Sequence, residues 1–297
     1  MKSALLPPPV APRKRLVSTS QRGNLRGGSG VSDDKNIVKS VAKAFAVLQS
    51  FGPDATELVI ADVARAAGMD NATAFRMLNT LVALGYVEKV ENSRRFRLTF
   101  KCLDLGFNAI ARSDIRALGR PLLRSLVGDR IEAASIGVLD GHEVVYVERI
   151  QAGLQRLAVD VRVGNRVPAF SSALGRAILA HLPLADERAI LEAHPPEQLT
   201  QFTVTDIEQL LAEIAKVRQD GFAVSDQETV TGLRVLAAPI TDVDGIPIAA
   251  MSVAAPAFGQ SLEQFIDAAR DATCEAARRL SLAVRAAGAT ASHPLTP

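Results

Sequence analysis

Residues 37–98 constrain the fold of this chain more than any other stretch, because their apolar positions change spacing in a fixed order. Three runs carry apolar residues at the spacing of an amphipathic helix. The segment GPDATE separates the first run from the second, and Gly68 ends the second. Asp70 or Asn71 is positioned to cap the third run, which Gly85 ends. The predicted buried positions are, helix by helix, Ile37, Val41, Ala44, Phe45, Leu48 and Phe51, then Leu58, Ile60, Val63, Ala64 and Ala67, then Phe75, Leu78, Leu81, Val82 and Leu84.

A two-stranded hairpin follows the third helix. The runs YVEKV and RFRL alternate apolar and polar residues, as half-buried strands do, and ENSRR between them places Arg94 and Arg95 at the predicted turn. Two helices, a tight corner, a third helix and a hairpin are the order of a winged helix-turn-helix.

The polar positions of the third helix suit contact with DNA. A helix fits the major groove, where Arg pairs with guanine and Asn with adenine, while Thr bonds phosphate or touches a thymine methyl. The hairpin arginines are expected to contact phosphates or enter the minor groove. The alternative is an ordinary solvated helix face with a soluble hairpin tip. The predicted DNA-binding residues are Asn71, Thr73, Ala74, Arg76, Asn79, Thr80, Arg94 and Arg95.

Charge is distributed unevenly along the 297 residues. Residues 1–110 carry 16 Lys and Arg against 9 Asp and Glu, whereas 111–297 carry 18 against 23, so the net charge is only +2. Residues 1–34, rich in Pro, Gly, Ser and Arg, are predicted to be a disordered basic arm. A basic half favours nucleic acid as a partner, although a basic tail that only increases solubility also fits the charge.

Motifs in both halves resemble the isocitrate-lyase-regulator (IclR) family of bacterial transcription factors. The similar segments are IVKSVAKAFAVLQSF, DVARAAGMDNATAFRMLNTLVALGYVE, FRLTFKCLDLG, SALGRAILAHLP and GFAVSDQETVTGLRVLAAPITDVDGIPIAAMSVAAP. The resemblance covers about residues 36–285 and, within the family, is strongest to regulators of the β-ketoadipate pathway of aromatic-acid breakdown. It implies a winged helix joined by a linker helix to a GAF-like α/β effector-binding domain. It also implies a dimer or dimer of dimers that binds double-stranded operator DNA and a small carboxylate effector.

The second half of the sequence is compatible with that architecture, because its pattern predicts helices with an antiparallel sheet, an α+β fold. Strand-like runs flank the turns DGH and DVDG. Of four helical runs, the third is expected to open with a Thr205 cap and Glu208, and to end at Gly221. The expected parts are the arm 1–34, a DNA-binding domain 35–100, a linker helix 101–127, an effector-binding domain 128–286 and a flexible tail 287–297. The linker is broken or capped around Ser113 and Asp114. Its residues offered for contact with a second copy are Leu103, Leu105, Ile110, Ile115, Leu118, Leu122 and Leu126.

The family resemblance also implies an effector pocket on one face of the sheet. Its lining, transferred to matching positions, is Ala173, Leu174, Ser225, Leu233, Val235, Ser252 and Ala254. Arg156 and Arg162 are candidates for binding a carboxylate, with a solvated surface charge as the alternative. Asp226, Glu228 and Arg234 are expected to pair structurally near the pocket mouth.

Catalytic chemistry has little support in the sequence. The histidines show no spacing typical of zinc ligands or of a nucleophile's base, and each is expected at the surface. They are His142, His181, His194 and His293. Cys102 and Cys274 are expected to be buried thiols. We therefore predict no catalytic residue, metal or cofactor, with a small-molecule enzyme of α+β fold carrying a basic accessory domain as the alternative function. Since no run of 18 apolar residues exists, the expected location is cytoplasmic, with no membrane partner.

Overall fold

The computed structural model describes residues 37–52, 55–110, 115–128, 130–152 and 161–287. The helices and strands fall into two compact units, the first ending with helix α4 and the second beginning with helix α5. The predicted basic arm, the tail beyond residue 287, and the predicted linker break at Ser113 and Asp114 lie outside the described residues.

The first unit has the predicted winged helix-turn-helix order. Its elements are α1 (Lys39–Gln49), β1 (Leu58–Val59), α2 (Ile60–Ala66), α3 (Asn71–Ala83), β2 (Val87–Lys89), β3 (Arg95–Leu98) and α4 (Lys101–Ile110). The strands form an antiparallel sheet in the order β1-β3-β2. Leu58, predicted to lie in the second helix, instead pairs with Phe96 across β1 and β3. A two-residue strand is too short to show a period of its own.

The core of the first unit is small, and it corrects the predicted buried stripes. Val47, Val63, Leu78 and Leu81 are buried together with Phe96. Six positions predicted to be buried are instead one-third to one-half exposed, namely Ile37, Val41 and Phe45 on the first helix and Phe75, Val82 and Leu84 on or just after the third. Both helices carry apolar residues on more than one face, so periodicity alone does not decide which face meets the core.

The second unit is a six-stranded antiparallel sheet with helices on both faces. Its elements are α5 (Ile115–Leu126), β4 (Ala133–Asp140), β5 (Glu143–Gln151), β6 (Arg166–Pro168), α6 (Ala173–Leu179), α7 (Leu184–Ala193), α8 (Ile207–Asp220), β7 (Ala223–Asp226), β8 (Leu233–Thr241), β9 (Pro247–Pro256) and α9 (Leu262–Ala286). The strand order is β6-β5-β4-β9-β8-β7. Both predicted hairpins are present, as β4–β5 and β8–β9, whereas the short edge strands β6 and β7 had no separate sequence signal.

Close approaches identify what covers each face of this sheet. A Cβ added to Gly119 of α5 would lie 2.3 Å from Ile136 of β4 and 3.1 Å from Leu280 of α9, so α5 and α9 cover one face. A Cβ added to Gly137 would lie 3.0 Å from Leu174, which places α6 over the other face.

The predicted linker segment is therefore two helices with different surroundings. Ile115 and Leu123 of α5 are buried within the second unit, so they are not free to contact a second copy. Leu103 and Leu105 of α4 are about half exposed.

The caps of α8 differ in part from the prediction. Asp206, not Thr205, is the N-cap, and its carboxylate accepts the Gln209 N–H at 2.8 Å. The helix ends as predicted at Gly221, whose φ of 78° is left-handed.

Candidate DNA-binding and effector-binding sites

Helix α3 presents a polar outer face. Asn71, Arg76, Asn79 and Thr80 are all exposed, as predicted for residues that contact DNA. The Thr80 hydroxyl also donates a hydrogen bond to the Arg76 carbonyl at 2.9 Å. These side chains follow the helix-turn-helix corner, which is the position of the major-groove helix in this motif.

Two of the predicted α3 contacts are corrected by the structure. Thr73 is buried, and it donates its backbone N–H (2.8 Å) and its hydroxyl (2.7 Å) to the Asp70 carboxylate. Ala74 is fully buried in the core. Asp70 is thus the helix cap, one of the two predicted candidates, and the Thr73 N–H lowers the pKa of its carboxyl group. Neither Thr73 nor Ala74 is placed to reach a base.

The hairpin β2–β3, which we call the wing, exposes both predicted arginines. Arg95 donates a hydrogen bond to the Glu57 carbonyl at 3.1 Å, and the neighbouring Arg97 forms a 2.5 Å ion pair with Glu88. Arg94, at the turn, makes no ion pair with any residue that the structure describes. Arg94 is therefore the wing guanidinium that is most available to an external phosphate.

In the second unit, strand register brings distant residues onto the α6-side face of the sheet. Ala133 of β4 pairs with Ala254 of β9. Ala254 also pairs with Val235 of β8, and Val235 pairs with Ser225 of β7. Two residues along, Ser135 is opposite Ser252. Side chains two apart on a strand share a face. We call this surface the sensor face, and its members are Ala133, Ser135, Tyr146, Arg149, Leu233, Val235, Ser252 and Ala254.

Several hydroxyl groups near this face are not used by the fold. The Ser171 hydroxyl, just before α6, is buried and makes no hydrogen bond to a described residue. The hydroxyls of Ser252 and Tyr146 also make none, although Tyr146 is only half-buried. Burial raises the pKa of Tyr146. The Ser225 hydroxyl, predicted as a ligand contact, donates instead to the Ser171 carbonyl at 2.9 Å. Hydroxyls that the fold leaves without a partner are suited to binding a polar ligand.

The predicted cationic residues are not on the described sensor face. Arg162 is exposed in a turn, where its backbone N–H donates to Asn165 Oδ1 at 2.8 Å, and Arg156 lies outside the described residues. The structure instead places Arg149 of β5 opposite Ser135, with its Nη1 donating to the Ser135 hydroxyl at 2.9 Å. Arg149 was missed because the sequence does not reveal the register of β5 against β4.

On the same side of the sheet, a buried ion network joins α6 to the loop after β7. Arg176 is fully buried and forms a fork with Glu228, at 2.8 and 2.5 Å, while also bonding Glu213 (2.9 Å) and the Phe170 carbonyl (2.7 Å). Burial raises the pKa of Glu228 even though Arg176 opposes the shift. Asp226, Glu228 and Arg234 were predicted to pair with one another. Asp226 does pair with Arg234 (2.8 Å), whereas Glu228 pairs with Arg176.

Ala173 and Leu174, both predicted pocket residues, are completely buried at the start of α6. Leu174 contacts the sheet near Gly137. Both belong to the apolar core on the α6 side, so they present almost no surface to a ligand.

The remaining titratable groups do not form a catalytic centre among the described residues. His142 and His194, distant in sequence, stack with ring centroids 3.8 Å apart. Burial and the neighbouring His194 lower the pKa of His142. His181 is half-buried near the Ala177 carbonyl (3.1 Å), and His293 lies outside the described residues. His142 and His194 are exposed, as expected for surface residues, whereas His181 is half-buried.

Both cysteines are free and half-buried. In the described ranges, no cluster of three or more metal-ligating side chains is found. None of the described helices is long and apolar enough to cross a membrane.

Two family models match the chain over the parts just described. The "IclR helix-turn-helix domain" matches residues 40–91, and the "Bacterial transcriptional regulator IclR C-terminal" matches residues 107–282. The chain belongs to the IclR family. It is a DNA-binding transcriptional regulator with a C-terminal effector domain, and the alternative of an enzyme with a basic accessory domain is set aside, since the family and its curated relatives are transcriptional regulators.

Individual relatives agree with this assignment along most of the chain. The Pca regulon regulatory protein of Pseudomonas putida is 31% identical over 252 residues, which cover 84% of this chain and 82% of that protein. The crystal structure of a transcriptional regulator from Rhodococcus sp. RHA1 is similar with a TM-score of 0.75 and 34% identity, covering 84% of this chain and all of that one. An IclR homologue from Microbacterium hydrocarbonoxydans, solved with 4-hydroxybenzoate, gives a TM-score of 0.73 and 25% identity, covering 83% and 99%.

Proposed function

We propose that this regulator, in the cytoplasm, binds operator DNA as a dimer or dimer of dimers through α3 and the wing, and that a small aromatic carboxylate on the sensor face adjusts that binding. The observation that carries the DNA-binding part is the exposed face of α3, where Arg76 and Asn79 have the chemistry to pair with guanine and adenine. Arg94 of the wing then contacts a phosphate beside the groove.

The DNA-binding part is tested with an operator selected from a random duplex library by the full-length protein. Arg76→Ala should weaken binding by about 1 to 3 kcal/mol and relax specificity at one position per half-site, since it removes a bidentate base contact. Arg94→Ala should weaken all sequences alike and reduce the salt dependence. Arg278→Ala, an exposed arginine of α9, is the control and should change neither. Unchanged binding by Arg76→Ala would place the recognition surface elsewhere.

The effector part rests on the sensor face itself, where the Arg149 guanidinium and the hydroxyls of Ser135 and Ser252 belong to three adjacent strands, β5, β4 and β9. A guanidinium with hydroxyl groups at the edge of an apolar surface suits a ligand that has a carboxylate at one end and a phenol at the other. Support also comes from the relatives, one named for a Pca regulon and one solved with 4-hydroxybenzoate.

A thermal-shift panel of protocatechuate, 4-hydroxybenzoate, β-ketoadipate and benzoate tests this. A ligand at a hundred times its Kd adds about 2.7 kcal/mol to the folded state, which is a shift of several degrees. Ser252→Leu, which fills the site, should abolish the shift while operator binding remains. Arg149→Ala should cost about 1.5 to 3 kcal/mol of ligand affinity, whereas Arg162→Ala, an exposed control, should cost little. A panel without any shift would contradict the proposed ligand class.

The dimer is supported by apolar side chains that the first unit leaves exposed. Ile37 just before α1 and Val41 and Phe45 on it are about half exposed, and so are Leu103 and Leu105 of α4. Such patches mark protein interfaces, and two-fold pairing lets two α3 helices read a palindromic site.

We expect the double substitution Val41→Glu with Phe45→Glu to give a monomer by light scattering and to lose operator affinity. Leu184→Glu, on an exposed position of α7, should remain oligomeric. A parent protein that is monomeric on its operator would contradict the dimer.

A further inference from the structure

Phe75 is an exposed aromatic residue in the middle of the DNA-reading surface. It is 48% exposed, although its place in the apolar pattern assigns it to the core. The buried side of α3 is instead formed by Thr73, Ala74, Leu78 and Leu81. Nothing in the described part of the first unit covers the outer half of the Phe75 ring.

The position of Phe75 around the helix axis defines its neighbours. At about 100° per residue, Ala72 and Asn79 lie near the centre of the exposed arc, with Phe75 and Arg76 about 50° to either side. Ala72 is also exposed and has only a methyl group, so the space in front of it is open to either neighbour. Phe75 is therefore part of the same surface as Arg76 and Asn79, and in the same early turns of the helix that contact base edges in helix-turn-helix proteins.

The chemistry of the major groove offers one partner for an apolar ring at this place. Among the four base pairs, only those with thymine present an apolar group there, the C5 methyl. Guanine and adenine edges are recognised by the hydrogen-bonding groups that Arg76 and Asn79 already provide, and cytosine presents a polar amino group. A ring without hydrogen-bonding atoms gains nothing from those edges and loses contact with water when it covers a methyl group.

We propose that Phe75 is a specificity-determining residue that packs against a thymine methyl in each half of the operator. This rests on the proposed DNA-binding function and deepens it, because it names a base and the atom that is read. Phe75 thus contributes apolar selectivity beside the polar readout of Arg76 and Asn79.

Replacing thymine by uracil in the selected operator removes only the methyl group, which makes it the direct test. With each thymine replaced singly, the parent should bind about four-fold more weakly at one position per half-site, the equivalent of about 0.8 kcal/mol for one buried methyl-sized group. Phe75→Ala should bind the thymine and uracil duplexes equally at that position. Phe75→Leu, which keeps an apolar side chain, should retain part of the difference.

Val82→Ala is the matched control, since Val82 is an apolar residue on the same helix, 37% exposed and nearly two turns further along. It should discriminate thymine from uracil as the parent does. The proposal is overturned if no uracil substitution weakens the parent, or if Phe75→Ala retains the full difference. If the parent selects no sequence at all, the DNA-binding function fails and this inference fails with it, whereas a selected operator without a uracil effect removes only the role of Phe75.

Discussion

The two units of this regulator build their binding surfaces in different ways. In the first unit, the candidate base contacts are neighbours on α3, and their side chains make few bonds to the rest of the protein. In the second, the sensor face is assembled from four strands, and a fully buried arginine supports the loops beside it. From this difference we expect side-chain changes on the DNA-reading surface to alter DNA binding with little effect on folding, whereas the sensor face depends on close backbone approaches at α6.

The largest expected effect is at Gly175, near the start of α6. A Cβ there would lie 2.2 Å from the Ala169 carbonyl oxygen and 2.3 Å from the Ala169 Cα, and backbone atoms cannot move aside as a flexible side chain can. Gly175→Ala should destabilise the second unit by about 4 kcal/mol or more. Urea denaturation followed by circular dichroism measures this.

Gly106→Ala is the matched control for that substitution. Gly106 also lies in a helix, α4, but a Cβ there would meet nothing within 4 Å. This variant should be neutral or slightly more stable, because alanine favours the helix. If Gly175→Ala and Gly106→Ala unfold at the same urea concentration, the close backbone approach at Gly175 does not determine stability.

A second, somewhat smaller effect is expected at the buried ion network. Glu228→Gln leaves the Arg176 guanidinium buried with a weaker partner, although Glu213 and the Phe170 carbonyl remain bonded to it. We expect a loss of about 3 kcal/mol, the lower end of the range for breaking a buried pair.

The control exchange is Glu208→Gln in the exposed pair with Arg188, whose atoms are 2.8 Å apart. Since both side chains there are solvated, the denaturation midpoint should hardly change. If Glu228→Gln and Glu208→Gln change the denaturation midpoint equally, burial is not the reason that the network stabilises the second unit.

The smallest expected effect is the pH dependence that comes from the histidines, which belongs to the second unit because no histidine precedes residue 142. Burial is the main cause that lowers the pKa of both His142 and His181 in the folded state. Below the unfolded value of 6.5, the unfolded chain therefore binds more protons than the folded one, and stability falls as pH decreases.

Melting temperatures of the parent and of the double variant His142→Gln, His181→Gln should be compared at pH 7.5 and 5.5. The parent should lose more stability on acidification, by less than about 1 kcal/mol because His142 is largely solvated. If the melting temperature of the parent falls no more on acidification than that of the variant, the expected direction of the pH dependence is wrong.

The sequence placed Arg76, Asn79, Thr80 and Asn71 correctly on the outside of α3, because helical period and capping are local properties. It misplaced Thr73 and Phe75. Thr73 is polar, but its hydroxyl is satisfied by Asp70 and so it can be buried. Phe75 is apolar, but the core is already filled by Leu78 and Leu81.

For the sensor face, the sequence identified individual strands but not the residues that join them from other strands. The resemblance placed Leu233, Val235, Ser252 and Ala254 on strands that the structure pairs directly, and local alternation was enough for each strand.

The sequence by itself thus determined the order of the main elements, the end of α8 at Gly221, and the membership of the family, since each depends on residues close together along the chain. It left the cap of α3 open between Asp70 and Asn71, and the structure shows that it is Asp70. Only the tertiary structure decided that Ser135 and Arg149 join Ser252, and that Arg176 pairs with Glu228 across 52 residues. Strand register and helix docking decided these contacts, and both are fixed by how whole faces are buried against one another rather than by any local pattern.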